Sequence, residues 1–387
     1  MGEQLNRLVQ STVDTWADRL VQLSHSLHAE PETAFNEHRS ARKIADLLDR
    51  AGFEVARGAA GLPTALVATR GTGELNIGVC AEYDALPDLG HACGHNVNGA
   101  AAVGAAIALG SAADELGVTV TLVGTPAEED YAGKALLLEG GVFDDVAAAM
   151  MVHAAGEDSV GASSLAATSW DITYAGKPSH AATAPWDGVN AFDAITLAHH
   201  AIGLLRQQLP PGVLVHGIVT EGGQASNVIP ARATARYEIR ARTLEQLDAA
   251  RPRVRAAFEA GAVATGAKLD IRPRGRDYAE LLQDEFMTAA YLNAARSLGR
   301  TVAQRHGEPI ASTDIGNVSR VLPTIQPTIG YPVAGAAHHT PDFARHGTSA
   351  GADLAVRDGA LALAQVGVEL ATTPAQRTRL LANLRTR

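Results

Sequence analysis

Residues 82–95 bring together several side chains that can bind a metal ion. The segment reads EYDALPDLGHACGH, and it follows an apolar run at residues 75–81 that predicts a buried strand. Thiolate, imidazole and carboxylate groups are the ligands that hold zinc and similar divalent ions in proteins. A core strand that ends in such a loop predicts a metal site, and more specifically a catalytic one. The alternative interpretation is a polar surface loop that contains one incidental thiol.

Two more apolar runs end in residues of the same chemical types. Residues 118–124 are followed by Glu128 and Glu129, and residues 146–152 are followed directly by His153. In open α/β sheets, the reacting groups lie beyond the carboxyl ends of the strands. Three strand-like runs with ligand-type residues at the same end therefore favour a shared site, although Glu128-Glu129 taken alone would also fit a solvated acidic turn.

The composition is that of an ordinary globular protein. The chain has 387 residues, of which 46% are hydrophobic, and a net charge of −10 from 32 basic and 42 acidic residues. Its basic clusters are short, so no nucleic-acid surface is indicated, and no apolar run approaches the roughly 20 residues that span a bilayer. The N-terminal segment lacks the features of a signal peptide, and two cysteines cannot form a disulfide framework. We therefore expect a cytoplasmic protein without a membrane or nucleic-acid partner.

Alternating strand and helix patterns predict an α/β fold with a mostly parallel sheet. Residues 166–278 differ, because they give the order β-α-β-β-α-β, which is the ferredoxin-like pattern. Within them, residues 232–240 alternate between apolar and polar side chains, as in an antiparallel strand with one solvated face. The sequence thus predicts two domains. Residues 1–165 and 279–387 form a discontinuous domain that carries the metal site, and residues 166–278 form an inserted domain.

Six motifs, in order over nearly the whole chain, resemble those of a known family. They are CAEYDALPDLGHACGHN at 80–96, GTPAEED at 124–130, GKPSHAATAPWDGVNAFDA at 176–194, GGQASNVIP at 222–230, STDIGNVS at 312–319 and HHTPDF at 338–343. By these motifs the chain resembles the M20 family of metallopeptidases and amidohydrolases. It is most similar to the D-type branch of that family, which carries His-Ala-Cys-Gly-His, and there to the subgroup of M20 domain-containing protein 2 and aminobenzoyl-glutamate hydrolase-like proteins.

The resemblance implies two divalent metal ions per subunit, Zn²⁺ or Mn²⁺, that lie a few ångströms apart. The ligands that it implies, position by position, are Cys93, His95, Glu129, His153 and His339. His339 is preferred to its neighbour His338 because Thr340-Pro341 follows it, as in the family's motif. One ligand must bridge the two ions, and the sequence leaves open whether this is Cys93 or His95.

Two further acids have catalytic roles in this resemblance. Glu128 is implied to be the general base, which takes a proton from the metal-activated water and passes it to the leaving amine. Asp84 is implied to hydrogen-bond a metal ligand and to fix its orientation. The common M20 pattern has His-x-Asp, with the His as a ligand, where this chain has Glu82-Tyr83-Asp84. Glu82 could replace that ligand, or one ion could be held less well.

The resemblance also assigns residues that contact the substrate. His180 lies in the inserted domain, and it is implied to reach the active site of the partner subunit in a homodimer, where it stabilises the oxyanion. The inserted domain would therefore serve as a lid and dimerisation domain. Asn227 matches a substrate-contacting Asn, and Asp314 could shape the pocket. Arg240 could pair with a substrate carboxylate, although an exposed strand arginine is an equally good interpretation.

Together these features predict an enzyme that hydrolyses the amide bond of a small N-acyl or aminoacyl amino acid or dipeptide. One alternative is hydrolytic removal of an amine from an aromatic ring, which the same site could support. Another is a non-catalytic, metal-binding regulatory subunit. Loss of Glu128 or of a ligand would have favoured the regulatory subunit, and the chain retains all of these residues.

Overall fold

The computed structural model describes residues 2–387, which form two compact units. The first comprises the described residues up to Ser163 together with Leu281–Arg387, and the second is Ser164–Glu280. Among the described residues, no helix is both long and apolar enough to cross a membrane.

The helices and strands follow one another along the chain with short connections. The α-helices are α1 (Gly2–Ala29), α2 (His38–Arg50), α3 (His95–Ser111), α4 (Ala113–Leu116), α5 (Glu128–Tyr131), α6 (Gly133–Glu139), α7 (Ala191–Leu205), α8 (Leu244–Thr265), α9 (Glu285–Ser297), α10 (Ile315–Ser319), α11 (Pro341–Ala344), α12 (Ala350–Thr372) and α13 (Pro374–Thr386). The strands are β1 (Glu54–Arg57), β2 (Leu66–Arg70), β3 (Leu75–Glu82), β4 (Val118–Thr125), β5 (Ala148–Met150), β6 (His153–Ala155), β7 (Asp158–Val160), β8 (Ala166–Ala175), β9 (Leu214–Glu221), β10 (Arg232–Ala241), β11 (Lys268–Pro273), β12 (Val302–Gln304), β13 (Thr324–Ile325) and β14 (Thr328–Gly330).

The first unit is built on a six-stranded sheet with the order β1-β2-β4-β3-β5-β13. Strands β4, β3, β5 and β13 run parallel, whereas β1 and β2 join the sheet through antiparallel pairs. Strands β3 and β4 are buried almost throughout, which explains their continuous apolar sequences. Their register pairs Glu82 with Thr125, so the two strands end at the same level.

Helix α3 packs behind the loop that follows β3, and nearly all of its residues are buried. It lies against α1 and α12 in the main hydrophobic core. A Cβ at Gly99 would lie 2.6 Å from the carbonyl oxygen of Glu82, which is closer than real Cβ atoms approach. The alanine- and glycine-rich sequence therefore allows the helix to pack directly against the end of β3.

A second sheet of this unit, with the order β12-β7-β14-β6, is not predicted by the sequence pattern. Its strands have three residues each, which is too short for an alternating pattern to be visible. Residues 146–152, predicted as one strand, form β5 only at Ala148–Met150. His153 then begins β6, which pairs in parallel with β14. The apolar run and the histidine that follows it thus contribute to two different sheets.

The second unit has the chain order β8-α7-β9-β10-α8-β11 and one antiparallel sheet with the order β11-β8-β10-β9. Helices α7 and α8 pack on its apolar face, to which β10 contributes Ala233, Tyr237 and Ile239. Strand β9 forms one edge of this sheet. This is the ferredoxin-like pattern, and the fold class predicted from the sequence, α/β with an inserted ferredoxin-like domain, is confirmed.

Candidate metal centre

The loop after β3 carries two predicted ligands, Cys93 and His95, on either side of a glycine. His95 is the first residue of α3, and Gly94 before it has φ 76°, in the left-handed region. A Cβ at position 94 would lie 2.4 Å from the Cβ of Ala154. Glycine is therefore required here by both the backbone conformation and the space, and it lets the thiol and the imidazole approach one another.

The five predicted ligands form two groups that share one sulfur atom. The Sγ atom of Cys93 and one nitrogen each of His95 and His153 lie within 4.8 Å of one another, and the same is true of Cys93, Glu129 and His339. Atoms bound to one tetrahedral ion at 2.0–2.3 Å stand about 3.3–3.8 Å apart. The distance from Cys93 Sγ to His153 Nε2 is 3.8 Å, and that from His339 Nε2 to Glu129 Oε2 is 3.4 Å. These separations suit a shared cation.

Asp84 orients two members of this cluster. Its Oδ1 and its backbone carbonyl oxygen each accept from Nδ1 of His95 at 2.9 Å, and its Oδ2 accepts from the backbone N–H of Glu129 at 3.0 Å. These contacts turn Nε2 of His95 towards the other ligands. Hydrogen bonds of this kind fix the direction of a metal-binding ring and its tautomer.

Two buried atoms of the cluster have no hydrogen-bond partner among the described residues, namely Nε2 of His95 and Oε1 of Glu129. They lie 3.8 Å apart. Buried polar groups are almost always paired, and leaving one unpaired costs about 1–3 kcal/mol. Bound divalent cations would satisfy these atoms, so the residues present fit metal ions in their chemistry and in their arrangement.

Two histidines near the cluster differ in how their ring nitrogens are used. His153 donates from Nδ1 to the carbonyl oxygen of Ala154 at 2.9 Å, which leaves Nε2 as the basic nitrogen facing Cys93. His338 instead donates from Nε2 to the same carbonyl oxygen at 2.9 Å and packs on the ring of Phe343. His338 is therefore engaged elsewhere, and the structure places its neighbour His339 in the cluster.

Glu128 is buried beside the ligands at the start of α5. Its Oε2 lies 3.9 Å from Nε2 of His95. Ala127 precedes it with φ 58°, and this left-handed residue turns the chain out of β4 into the helix. Burial, followed by the charges of Glu82 and Glu129, raises the pKa of Glu128 well above its usual range. A carboxyl group with a raised pKa is suited to accepting a proton and returning it.

Burial also favours the neutral forms of Cys93 and His153 when no cation is bound. Burial, followed by the charge of Glu129, raises the pKa of the Cys93 thiol well above its usual range. Burial lowers the pKa of His153 to about 4, so its imidazole is neutral and able to bind metal. A bound divalent cation counteracts the effect on the thiol, because its charge stabilises the thiolate.

The chain is similar to proteins of known family and activity. A family model described as a peptidase dimerisation domain matches residues 165–265. The Xaa-Arg dipeptidase of Mus musculus is 36% identical over 390 residues, which cover 96% of this chain and 90% of that protein. A p-aminobenzoyl-glutamate hydrolase subunit of Escherichia coli (strain K12) is 32% identical over 293 residues, which cover 70% of this chain and 60% of that protein. The chain belongs to the M20 family.

A solved structure shows the same fold. It is a Bacillus subtilis protein described as a dinuclear metal-binding peptidase from the M20 family, and it matches with a TM-score of 0.68 and 23% identity over 93% of this chain and 99% of that one. The present M20 chain is a metal-dependent hydrolase of amide bonds in small N-acyl or aminoacyl amino acids or dipeptides.

Glu82, at the position of the histidine in the His-x-Asp pattern, is held by other residues here. Its Oε1 lies 2.5 Å from Nζ of Lys134, and its Oε2 accepts from Nδ2 of Asn98 at 3.0 Å. Oε2 also lies 3.6 Å from Nε2 of His95. One carboxylate oxygen each of Glu82, Glu128 and Asp314 lie within 4.8 Å of one another, so Glu82 belongs to a group of oxygen atoms beside the Cys93 cluster. These bonds favour a structural role for Glu82 over that of a ligand.

Asp314 belongs to the same buried network of this M20 enzyme. Its Oδ1 lies 2.6 Å from Nζ of Lys134, and its Oδ2 accepts from the backbone N–H of Lys134 at 2.7 Å. The side chain is completely enclosed. Both carboxylate oxygens thus bond to Lys134 in the interior of the protein. This position does not favour the contact with substrate that we expected of Asp314.

The remaining predicted residues of the M20 site lie in the second unit, and two of them are neighbours. His180 pairs with Val228 in a β-bridge, and the N–H of Ala181 donates to the carbonyl oxygen of Asn227 at 3.0 Å. Both His180 and Asn227 are exposed. Arg240 lies apart from them on β10, where its guanidinium bonds the carboxylate of Glu238 at 2.8 Å.

Sequence reasoning missed three residues that support the M20 site, namely Lys134, Asn98 and Glu37. Lys134 and Asn98 lie in helices whose polar positions resemble ordinary solvated ones in the sequence. Glu37 precedes α2, and its Oε1 accepts from the N–H of Ala127 at 2.9 Å across the fold. The only signal in the sequence was the replacement of the expected histidine by Glu82, since a new buried acid requires a new partner.

Proposed function

We propose that this chain is a two-metal dipeptidase whose substrates are dipeptides with a C-terminal arginine. The observation that carries the proposal is the convergence of five ligand-type side chains beside the buried carboxylate of Glu128. The similarity to the mouse Xaa-Arg dipeptidase over 96% of the chain supports the substrate class. The similarity to the p-aminobenzoyl-glutamate hydrolase subunit covers 70% of the chain, and this makes p-aminobenzoyl-glutamate the competing substrate.

In this proposal Cys93 would belong to the ligand sets of both divalent ions. Its sulfur is the atom shared by the two groups of ligands, and a thiolate has several lone pairs with which to bind two ions. His95 would belong to one set only, because its Nδ1 is held by Asp84 and only Nε2 remains. His95 and His153 complete one set of ligands, and Glu129 and His339 complete the other. Ions bound there polarise the amide carbonyl and lower the pKa of a water molecule.

Glu128 is the general base and then the general acid. When the water oxygen bonds to the carbonyl carbon, the Glu128 carboxylate takes one of the water's protons. When the C–N bond breaks, the same group returns that proton to the leaving nitrogen, so the products are a carboxylic acid and an amine. The burial that raises the pKa of Glu128 makes both transfers accessible near neutral pH.

His180 stabilises the oxyanion, and it does so in the partner subunit of a homodimer. Its Nδ1 accepts from the backbone N–H groups of Ala182 and Thr183 at 3.2 and 3.3 Å, which favours the tautomer with the proton on Nε2. That N–H is a suitable donor to a developing negative charge. Strand β9, an edge strand with exposed Leu214 and Ile218, supports dimer formation, because an exposed apolar edge is stabilised by pairing with a second copy.

The substrate is tested by measuring kcat/KM of the Zn²⁺- and Mn²⁺-loaded protein on Xaa-Arg dipeptides, the same dipeptides with other C-terminal residues, and p-aminobenzoyl-glutamate. We expect the highest kcat/KM on the Xaa-Arg series. A higher value on p-aminobenzoyl-glutamate would overturn the proposed substrate while leaving the amide-hydrolysing chemistry in place.

Matched substitutions of the adjacent Glu128 and Glu129 distinguish the general base from the metal ligand. Glu128→Gln should lower kcat by about 10² or more, the usual scale for loss of a general base, while the protein keeps its metal. Glu129→Gln should instead lower the metal content, because it removes a ligand. If Glu128→Gln strips the metal and Glu129→Gln retains it, the two roles are the reverse of those proposed.

The role of His180 across a dimer is tested by mixing two inactive variants. His180→Ala and Glu128→Gln homodimers should both have very low activity and normal metal content. A mixed dimer contains one site with an intact Glu128 from one chain and an intact His180 from the other, so activity should recover when subunits exchange. No recovery, with exchange shown by mass spectrometry of tagged chains, would mean that His180 does not act across the dimer.

A further inference from the structure

Lys134 joins two carboxylates in the interior of the first unit. Its Nζ lies 2.5 Å from Oε1 of Glu82 and 2.6 Å from Oδ1 of Asp314, and all three side chains are completely enclosed. The remaining oxygens are also bonded, that of Glu82 to Asn98 and that of Asp314 to the backbone N–H of Lys134. Every charged atom of this network therefore has a partner within the protein.

A gain in folding stability does not explain why these three charged side chains are buried together. Each buried charge carries a desolvation penalty of several kcal/mol, and apolar residues of similar volume are often equally stable or more stable. Here one ammonium group faces two carboxylates, so the network also retains a negative charge. Burial lowers the pKa of Lys134, but the charges of Asp314 and then Glu82 outweigh it and raise that pKa well above its usual range. The ammonium form is therefore a permanent feature.

A third carboxylate completes a set of oxygen ligands around this ammonium group. One carboxylate oxygen each from Glu82, Glu128 and Asp314 lies within 4.8 Å of the others. Such a set of hard oxygen atoms suits Mg²⁺ or Mn²⁺. This pocket adjoins the ligand cluster, because Glu82 Oε2 lies 3.6 Å from Nε2 of His95. Without a cation of its own, it would compete for the ions that the Cys93 cluster binds.

We propose that Lys134 is a positioning residue whose ammonium group occupies the oxygen pocket of Glu82, Glu128 and Asp314 as a fixed internal cation. It thereby confines the divalent ions to the cluster around Cys93. The inference rests on the metal-binding function proposed above, and it gives a role to the carboxylate at position 82, where the His-x-Asp pattern has a histidine.

The position of Lys134 is fixed at the backbone as well as at the ammonium group. Its N–H donates to Oδ2 of Asp314, which precedes α10. Gly133 before it packs so tightly that a Cβ there would lie 1.8 Å from the carbonyl oxygen of Pro126. The lysine therefore cannot withdraw from the pocket by a shift of α6, since both of its ends are held.

The decisive variants are Lys134→Ala and Lys134→Met. Both remove the charge, but alanine also vacates the space of the side chain, whereas methionine fills most of it. Each protein is loaded with Zn²⁺ to fill the Cys93 cluster and dialysed, and Mg²⁺ binding is then measured by calorimetry together with the Tm. We expect Lys134→Ala to bind one additional Mg²⁺ per chain and to gain Tm as Mg²⁺ rises, because ligand binding stabilises the folded state.

The wild type and Lys134→Met are expected to bind no additional Mg²⁺. Absence of the extra Mg²⁺ in Lys134→Ala, or its presence in Lys134→Met, would overturn the proposal. If Lys134→Ala does not fold, Lys134→Ala/Asp314→Asn has the same net charge as the wild-type network and still leaves space for a cation. That double variant should bind Mg²⁺, and its failure to do so would also overturn the proposal. A wild-type protein that does not retain Zn²⁺ would contradict the proposed metal centre instead, whatever the variants do.

Discussion

Two neighbouring clusters in the first unit are both buried and rich in acids, but the negative charge of their carboxylates is compensated in different ways. In the ligand cluster, Nε2 of His95 and Oε1 of Glu129 have no hydrogen-bond partner among the described residues. In the other, the carboxylates of Glu82 and Asp314 are both bonded to the ammonium group of Lys134 at short distances. One cluster is therefore built to receive cations, whereas the other contains its own.

The two clusters also differ in access to solvent. The side chain of His339 is 56% exposed, so the ligand cluster opens to the outside on one side. The side chains of Lys134, Glu82 and Asp314 are 0% exposed. Ions and substrate can therefore reach the first cluster, and nothing can exchange with the second without local opening of the fold.

The largest effect is expected from removing the shared ligand. Cys93→Ala takes one donor from both groups of ligands, so metal content and activity should both fall, and by more than the roughly 10–100-fold typical of losing a residue that only orients a ligand. Cys80→Ala is the matched control, because Cys80 is a buried thiol in β3 outside the cluster. Metal analysis and kcat/KM check the prediction, and equal losses in both variants would show that the effect is one of packing.

The second effect concerns the internal cation. Lys134→Met leaves the carboxylates of Glu82 and Asp314 without their counter-charge, so the free energy of unfolding should fall by about 3–5 kcal/mol, the cost of breaking a buried ion pair. Glu82→Gln/Lys134→Met restores the original net charge and should recover most of this loss. Denaturant unfolding measures both. A Lys134→Met protein as stable as the wild type would mean that the network is not a charged one.

The third effect tests how firmly the ligand cluster is oriented. Asp84→Asn replaces one of the two carboxylate oxygens by an amide N–H₂ group, which donates and does not accept. The asparagine side chain therefore cannot accept hydrogen bonds from both His95 and the N–H of Glu129. Metal affinity or activity should fall by roughly 10–100-fold. Asp88→Asn, an exposed position of the same loop, is the control and should have little effect. Unchanged metal affinity in Asp84→Asn would show that His95 keeps its orientation without this bond.

The difference between the clusters also explains what the sequence could predict. For the ligand cluster, cysteine, histidine and paired acids at strand ends indicated a shared metal site by their residue types, whereas the individual ligands, such as His339, came from the resemblance to the M20 family. The parallel core and the ferredoxin-like unit were foreseen from their apolar periodicity. Lys134 was not, because a lysine in a short helix looks the same in sequence whether it is solvated or buried. Only the tertiary packing places it between Glu82 and Asp314.

Elements that depend on distant pairing were missed for a similar reason. Strands β6, β7, β12 and β14 have three residues each, and they are strands only because residues about 140–175 positions apart pair with one another. Local propensity carries little information in such short segments. The consequence for the site was small, because His153 was predicted as a ligand from its residue type and its place after an apolar run.

The charge of a buried carboxylate is avoided in a third way at Glu37. It is completely buried, its Oε1 accepts from the N–H of Ala127, and its Oε2 has no hydrogen-bond partner among the described residues. Burial, and then the charge of Asp84, raises its pKa from 4.5 to about 7. Tyr83 also faces it and carries no charge, because burial raises the pKa of that phenol well above its usual range. Among the described residues no ion pair involves Glu37, and its raised pKa favours the protonated, neutral form.

A further expected effect is a pH dependence of stability. Because the folded-state pKa of Glu37 lies above its unfolded value, the folded state binds the proton more tightly. The resulting contribution to stability is complete below about pH 4.5 and is lost as the pH rises through about 7. In metal-free protein, the wild type should lose more unfolding free energy between about pH 5 and pH 8 than Glu37→Gln, whose amide stays neutral and can still accept from Ala127. Parallel curves for the two proteins would show that Glu37 is ionised in the fold. Bound divalent ions should reduce the difference, because positive charge near Asp84 offsets the repulsion that holds the proton on Glu37.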